Sequence, residues 1–253
     1  MSTMLDHPLV SSRYFFPRRE PFADPYWITA ADGSRLACYY RAVHPDAKTV
    51  VYFHGNGEVV ADYLPGFPDW IAGAGHNVLL AEYRGYGMST GHSSLVDMLE
   101  DVASIIQHLQ SLNILERNII LFGRSIGSLH VLHGVYRRPQ LAGLIIESGV
   151  ADITERFFQR VAPEELEVSQ ADVLKELRLH FDYVQKLEGF QGRTLIMHAR
   201  FDELLDAHHA ELLYAAAREP KQLKIFDRGG HNDIFYRNRS EYMQLVETFL
   251  AGL

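Results

Sequence analysis

The stretch Asn118-Ile119-Ile120-Leu121-Phe122-Gly123-Arg124-Ser125-Ile126-Gly127-Ser128-Leu129-His130-Val131-Leu132-His133-Gly134-Val135-Tyr136 decides the fold. It opens on a continuous apolar run with no period-two alternation, as a strand does when both its faces are buried. Residues 128–136 then carry apolar side chains at helical spacing. Between the two stands Gly123-Arg124-Ser125-Ile126-Gly127, a G-x-S-x-G pattern in the strand, turn, helix setting that a nucleophile elbow requires. The glycines have a steric task, because in so sharp a turn a side chain at either position meets the neighbouring strand or helix. Ser125 is then carried clear of the sheet at a helix N-terminus, where N–H groups and the helix dipole favour negative charge.

Working outward, the same kind of run recurs at 49–54 (TVVYFH), 77–83 (NVLLAEY), 141–148 (LAGLIIES), 194–199 (TLIMHA) and 222–226 (QLKIF). Helical patterns separate these runs at 59–72, 95–112, 207–217 and 242–250. Strand, crossover helix, strand in alternation gives a mostly parallel sheet with helices on both faces. The start differs: 26–30 and 36–42 flank Ala31-Asp32-Gly33-Ser34, whose Asp-Gly suits a tight turn, so a hairpin precedes the parallel strands. From 149 to 192 no strand-like run occurs, while Leu166, Val173, Leu177, Phe181, Val184 and Leu187 recur at helical spacing. This segment is read as an inserted helical cap, with extra helices packed on the core as the plain alternative. The expected fold class is α/β, in one domain over residues 1–253 with the cap insertion at about 149–192.

Composition excludes several classes. The 253 residues hold 24 Lys and Arg against 32 Asp and Glu, a formal charge of −8, so no basic face for nucleic acid is expected. Apolar residues at 47% and charged ones at 22% suit a globular domain and rule out a disordered or fibrous chain. Cys38 is the one cysteine, which permits neither an internal disulfide nor a cysteine metal cage and fits a reducing compartment. The longest apolar runs fall far short of the roughly 18 residues of a membrane helix. Residues 1–12 carry Asp6, His7 and Pro8 where a secretory signal has its apolar stretch. A cytoplasmic protein without an integral membrane segment is expected, and its oligomeric state is left open.

A serine hydroxyl needs a base within hydrogen-bond reach, and the base needs an orienting acid. Of thirteen histidines, His231 stands in the polar loop Asp227-Arg228-Gly229-Gly230-His231-Asn232-Asp233 after the last expected strand. For the acid we choose Asp202, just past the strand at 194–199, with Glu147 as the rival from the preceding strand end. The order Ser, Asp, His is the one expected when all three sit on loops at the C-terminal edge of such a sheet. Oxyanion donors are assigned to the backbone N–H of Ile126 and of Asn56, the latter in His54-Gly55-Asn56-Gly57 after the first parallel strand.

Together these residues resemble the α/β-hydrolase fold serine hydrolases, and within them the abhydrolase-domain subgroup with an H-G-N loop, a Y-R-G-Y-G-x-S-x-G segment and a G-R-S-x-G elbow. Here the three read His54-Gly55-Asn56, Tyr83-Arg84-Gly85-Tyr86-Gly87-Met88-Ser89-Thr90-Gly91 and Gly123 to Gly127. The resemblance runs from about Tyr14 to the C-terminus and is weakest in the insertion. It implies an eight-stranded, mostly parallel sheet, an acyl-enzyme mechanism with no cofactor, and substrates such as carboxylic esters, acyl-protein thioesters and lysophospholipids. Relatives end the acid strand H-G-x-x-D-x-x-V, whereas this chain has Ala199 for the glycine and Leu205 for the last position, with Asp202 correctly spaced.

The expected function is therefore hydrolysis of a small-molecule or acyl ester, or thioester, through an acyl-enzyme on Ser125. Acyl transfer or peptide cleavage on the same triad is the alternative within enzymes, and a catalytically inactive hydrolase-fold binding protein the alternative outside them. Arg84 and Tyr86 are read as holding their loop, and Arg124 as pairing with Glu147. No metal is expected, the pairs His130/His133 and His208/His209 being read as ordinary helix histidines. Phe157, Phe158 and Val161 are read as an acyl pocket or as packing. Carboxylates outnumber basic residues in the insertion, which predicts that anionic substrates are disfavoured.

Overall fold

The computed structural model describes residues 3–253. Eight strands form one sheet: β1 Tyr26–Thr29, β2 Arg35–Arg41, β3 Thr49–Phe53, β4 Asn77–Ala81, β5 Ile119–Arg124, β6 Gly143–Glu147, β7 Arg193–Ala199 and β8 Lys221–Phe226, in the order β1-β2-β4-β3-β5-β6-β7-β8. The first two strands form an antiparallel hairpin, β2 joins β4 antiparallel, and every later pairing is parallel. The α/β class and the mostly parallel eight-stranded sheet are thus as expected. Every residue of β3, β4, β5 and β6 is buried, which is why these strands read as unbroken apolar runs. At the edge, β8 is mostly half-exposed, with Lys221, Gln222 and Lys224 in a segment read from sequence as buried.

The helices are α1 Pro8–Tyr14, α2 Val60–Tyr63, α3 Phe67–Gly73, α4 Asp97–Ser111, α5 Gly127–Arg137, α6 Thr154–Phe158, α7 Gln170–Phe181, α8 Tyr183–Glu188, α9 His208–Ala216, α10 Ile234–Arg237 and α11 Arg239–Ala251. The helix expected over 59–72 is two short ones. Pro65 has no N–H to continue α2, and Gly66 at φ 100° turns the chain into α3. Alternate residues of the strands feed two cores. On one face Val51, Leu121 and Ile146 meet Val102 and Ile106 of α4 and Val131 of α5. On the other, Val50, Ile120 and Ile145 meet Ile71 of α3 and Val246 and Phe249 of α11.

Between β6 and β7 the chain forms short helices joined by loops and, among the described residues, no strand. Val173, Leu177, Phe181 and Leu187 of α7 and α8 join the core that α4 and α5 cover, and α8 packs on α5 and α9. Phe157 and Val161 are fully buried in the same core. No helix among the described residues is long and apolar enough to cross a membrane.

Candidate active site

The parallel strands end on one edge, and their loops converge there. After β5 the chain turns through Ser125, whose φ of 52° lies in the left-handed region that a non-glycine residue adopts only under constraint. Both flanking glycines are sterically required. A Cβ on Gly127 would lie 2.2 Å from the Phe53 carbonyl oxygen, and one on Gly123 would lie 2.5 Å from that of Gly127. Ser128 braces the turn from within α5: its hydroxyl donates to the Ser125 carbonyl at 2.6 Å and accepts the Val150 N–H at 2.8 Å.

The structure brings the three expected side chains together. The Ser125 hydroxyl lies 2.9 Å from Nε2 of His231, and Nδ1 of His231 donates to Oδ2 of Asp202 at 2.7 Å. Asp202 is fixed from its other side, Oδ1 accepting the N–H groups of Leu204 at 2.9 Å and Leu205 at 2.8 Å. His198, one strand turn earlier, brings Nε2 to 3.3 Å from Oδ2. Burial opposes the Asp202 charge, but hydrogen bonds from His198 and His231, the nearby His231 charge and the Leu205 N–H outweigh it, so the carboxyl is held well below its ordinary range. His198 is the first residue of the H-x-x-x-D spacing noted in the sequence, but its task depends on the chain folding back at Leu205 and was not read from it.

Glu147 does not take this place. It pairs with Arg124, as its strand position suggested, at 3.4 Å, and accepts a short hydrogen bond from the Tyr242 hydroxyl. Arg124 also meets Glu58 at 3.1 Å and donates to the His231 carbonyl at 3.2 Å and to Asn232 at 3.3 Å. Burial works against the guanidinium charge, and Glu147 and then Glu58 more than restore it. The elbow arginine therefore clamps the histidine loop to the end of β6.

The loop after β3 is held by partners that were not read from the sequence. Glu58 accepts the Gly55 N–H at 2.6 Å and the Tyr63 hydroxyl at 2.6 Å. The Asn56 side chain accepts the Tyr86 hydroxyl at 2.7 Å and the Phe16 N–H at 3.0 Å, and donates to the Tyr14 carbonyl at 2.6 Å. It thereby straps residues 14–16 across the loop. Beneath, the His54 ring lies between Glu82 at 2.8 Å and the Gly55 carbonyl at 2.9 Å. Burial lowers the affinity of His54 for its proton, and Glu82 outweighs that, so its pKa is raised. With Gly55 committed to Glu58, the Asn56 and Ile126 N–H groups meet no protein acceptor among the described residues, and both residues line the cleft beside Ser125.

Arg84 is held by Asp101 at 2.8 and 2.5 Å and by Asp32 at 3.0 Å, away from the cleft. His130 stacks on Tyr83 with ring centres 4.5 Å apart, and burial pushes its pKa down to about 3. His209 accepts the Ala151 N–H at 3.2 Å, and exposed His208 faces Glu211. Among the described residues no group of three or more His, Cys, Asp or Glu side chains could share a metal ion.

The cleft at Ser125 measures about 210 Å³. The strap residues Tyr14 and Phe16 form one wall, and Val150, Ile153, Arg156 and Arg160 of the insertion form another. Here the charges on the wall differ from the make-up of the insertion as a whole. Three carboxylates of the insertion are spent away from the cleft, Asp172 on the Ser169 cap of α7, Asp182 on the cap of α8 and Glu165 on Arg13, while Arg156 and Arg160 line the cleft.

Sheet order, elbow and converging loops define an α/β-hydrolase fold. Residues 44–171 match the Hydrolase_4 family, described as serine aminopeptidase, S33, and the chain belongs to this family. It is 26% identical to the Escherichia coli K12 protein YfhR over 95% of this chain and 87% of that one. With human α/β hydrolase domain-containing protein 17B it shares 23% identity over 92% and 77%. Among solved structures, a Pyrococcus furiosus esterase superposes with a TM-score of 0.73 at 18% identity, covering 94% of this chain and 97% of that one. Est1E from Butyrivibrio proteoclasticus, solved with ferulic acid bound, gives 0.72 at 15% identity over 89% and 99%. Both share the fold.

Proposed function

We propose that this protein is a serine hydrolase that cleaves a carboxylic ester or thioester through an acyl-enzyme on Ser125. The reading rests on one observation, the unbroken hydrogen-bond chain Ser125, His231, Asp202 beside two N–H groups that meet no protein acceptor. In this mechanism Ser125 Oγ attacks the carbonyl carbon while its proton passes to His231 Nε2. The oxyanion accepts hydrogen bonds from the Asn56 and Ile126 N–H groups. The bond to the leaving oxygen or sulfur breaks, and that atom takes the proton from Nε2. Water then attacks the acyl-enzyme, again giving a proton to Nε2, and Ser125 recovers it as the acid leaves. Asp202 keeps the Nδ1–H tautomer in place and stabilises the imidazolium. The same reading takes the chain as one domain, with residues 150–160 of the insertion roofing the cleft and α7 and α8 serving as packing.

The family description raises a second reading, cleavage of a peptide next to a free amine. An amine calls for an available carboxylate in the cleft. Glu58 is the carboxylate that lines it, and it is spent on Arg124, Gly55 and Tyr63. Ester cleavage is therefore preferred. The test is the intact mass of wild type and Ser125→Ala after treatment with a fluorophosphonate, followed by turnover of matched esters, thioesters and amides. One adduct on the wild type that is absent from the variant is expected, with esters and thioesters turned over. A folded wild type that takes no adduct overturns the reading in favour of a binding protein, and faster turnover of the amides favours the peptidase.

A further inference from the structure

Two guanidinium groups face the Ser125 cleft without a carboxylate. Arg156, from α6, donates one short hydrogen bond through Nη1 to the Leu204 carbonyl. Arg160, one turn later, uses Nη1 for the carbonyls of Arg13 at 3.1 Å and Tyr14 at 3.2 Å. Its plane lies over the rings of Tyr14 and Phe16, 4.9 and 5.5 Å from their centres. Among the described residues, neither Nε nor Nη2 of either arginine meets a protein acceptor, and neither arginine forms an ion pair. Arg13, on the same strap, shows the contrast: Glu165 clasps it with both oxygens at 2.6 Å. Burial lowers the Arg160 pKa, Tyr14 pulls it back in part, and the charge of Arg156 lowers it again.

Two like charges side by side on a wall that includes Val150, Ile153 and Leu205 repel each other, and an anion in the cleft would relieve that repulsion. Each presents a planar donor edge, which a carboxylate meets with two parallel hydrogen bonds. Of the two anions that fit a guanidinium edge, a carboxylate adds fewer atoms than a phosphate to a cleft of about 210 Å³ that must also hold the ester. We propose that the substrate is an ester or thioester that carries a carboxylate, bound by Arg156 and Arg160, on the part that occupies this cleft. This rests on the reading of Ser125 as the nucleophile.

The experiment compares kcat/KM for 4-nitrophenyl monoesters of the straight-chain dicarboxylic acids from glutaric to sebacic with that for the 4-nitrophenyl alkanoates of matched length. The ratio of charged to neutral ester divides out any general loss of activity. At the best chain length it is expected to reach about tenfold or more, the usual yield of a hydrogen bond to a charged group. It should shrink as salt is raised, fall toward one in Arg156→Gln and Arg160→Gln, and recover in part in the Arg→Lys variants. A wild-type ratio at or below one at every length overturns the proposal even if no variant folds, as does a ratio that neither substitution changes. Hydrolysis of the neutral esters alone would leave the nucleophile reading intact while sinking this one. If neither ester turns over, calorimetry of 4-nitrophenyl adipate on Ser125→Ala decides separately. Binding that disappears in the Ser125→Ala protein also carrying Arg156→Gln and Arg160→Gln supports the anion site, and no binding overturns it.

Discussion

Replacing Asp202 by asparagine tests the proposed triad more sharply than removing the nucleophile, because the structure dictates how the new amide must sit. Oδ1 of Asp202 accepts two backbone N–H groups, from Leu204 and Leu205. An asparagine keeps those bonds only by placing its carbonyl oxygen there. Its NH2 then points where Oδ2 was, toward Nδ1 of His231, 2.7 Å away. Two donors cannot face each other, so His231 moves its proton to Nε2 and offers Ser125 a donor in place of an acceptor. The base is lost with little change of shape. A serine hydrolase whose histidine is trapped in the wrong tautomer loses about 10³- to 10⁴-fold in kcat, or roughly 4 to 5 kcal/mol of barrier. The assay is ester turnover by Asp202→Asn beside Glu147→Gln, with Ser125→Ala as the floor and thermal unfolding of each. Glu147 bonds to Arg124 and Tyr242 and not to His231, so Glu147→Gln should cost roughly 3 kcal/mol of stability by unpairing a buried ion while kcat stays within about tenfold. If Asp202→Asn kept activity within about tenfold of wild type, or if folded Glu147→Gln lost more than Asp202→Asn, the acid would have to be reassigned and the hydrogen-bond argument abandoned.

Two further outcomes follow from the supporting structure. Asn56→Ala removes the three hydrogen bonds that tie the loop to the 14–16 strap and to Tyr86, so the Asn56 N–H should lose its aim. A fall in kcat of about ten- to hundredfold with a smaller change in KM is expected, less than deleting a donor outright; a pure KM effect would argue against an oxyanion donor there. Lys186 is buried on α8 with its ammonium 5.2 Å from the Phe181 ring centre, and burial pushes its pKa down to about 7 against the pull of Asp182 and Glu100. Between about pH 7 and 10 the unfolded chain thus holds a proton that the folded one has released, and stability rises with pH. Urea unfolding should find Lys186→Met more stable than wild type by up to about 4 kcal/mol near pH 6, with the gap falling to about 1 kcal/mol by about pH 9.5. A gap that did not change with pH would mean that Lys186 reaches water in the folded state.

Much of this fold was legible because two-sided burial leaves a plain mark. A strand such as β5, flanked by β3 and β6 and covered on both faces, has no room for a polar side chain until its last residue, Arg124, reaches the carboxylates at the sheet edge, so residues 119–123 are apolar without a break. The elbow was legible for a related reason, since the closeness of Gly127 to the Phe53 carbonyl admits no other residue. Edges and short breaks were less so. The run that became β8 is apolar enough to read as buried, and only the strand order shows that one side faces solvent. The two helices of 60–73 share one apolar face, and that face hid the break at Pro65 and Gly66.

The wall of the cleft was illegible because charge was counted where direction decides. Over 149–192 carboxylates outnumber basic residues, but a carboxylate in a helix cap spends its charge on a backbone N–H, as Asp182 does on Gln185. Glu165 and Arg13 cancel each other 152 residues apart in sequence, a pairing that no local window contains. What lines the cleft beside Ser125 without a carboxylate partner is Arg156 and Arg160, opposite in sign to the segment and to the chain's net −8. A distant surplus of surface carboxylates is screened within about 10 Å at ordinary salt, whereas a charge on the cleft wall acts at contact distance and is screened less. The charge that a cleft wall presents is therefore set by which of its ions lack partners, and total composition carries no information about that.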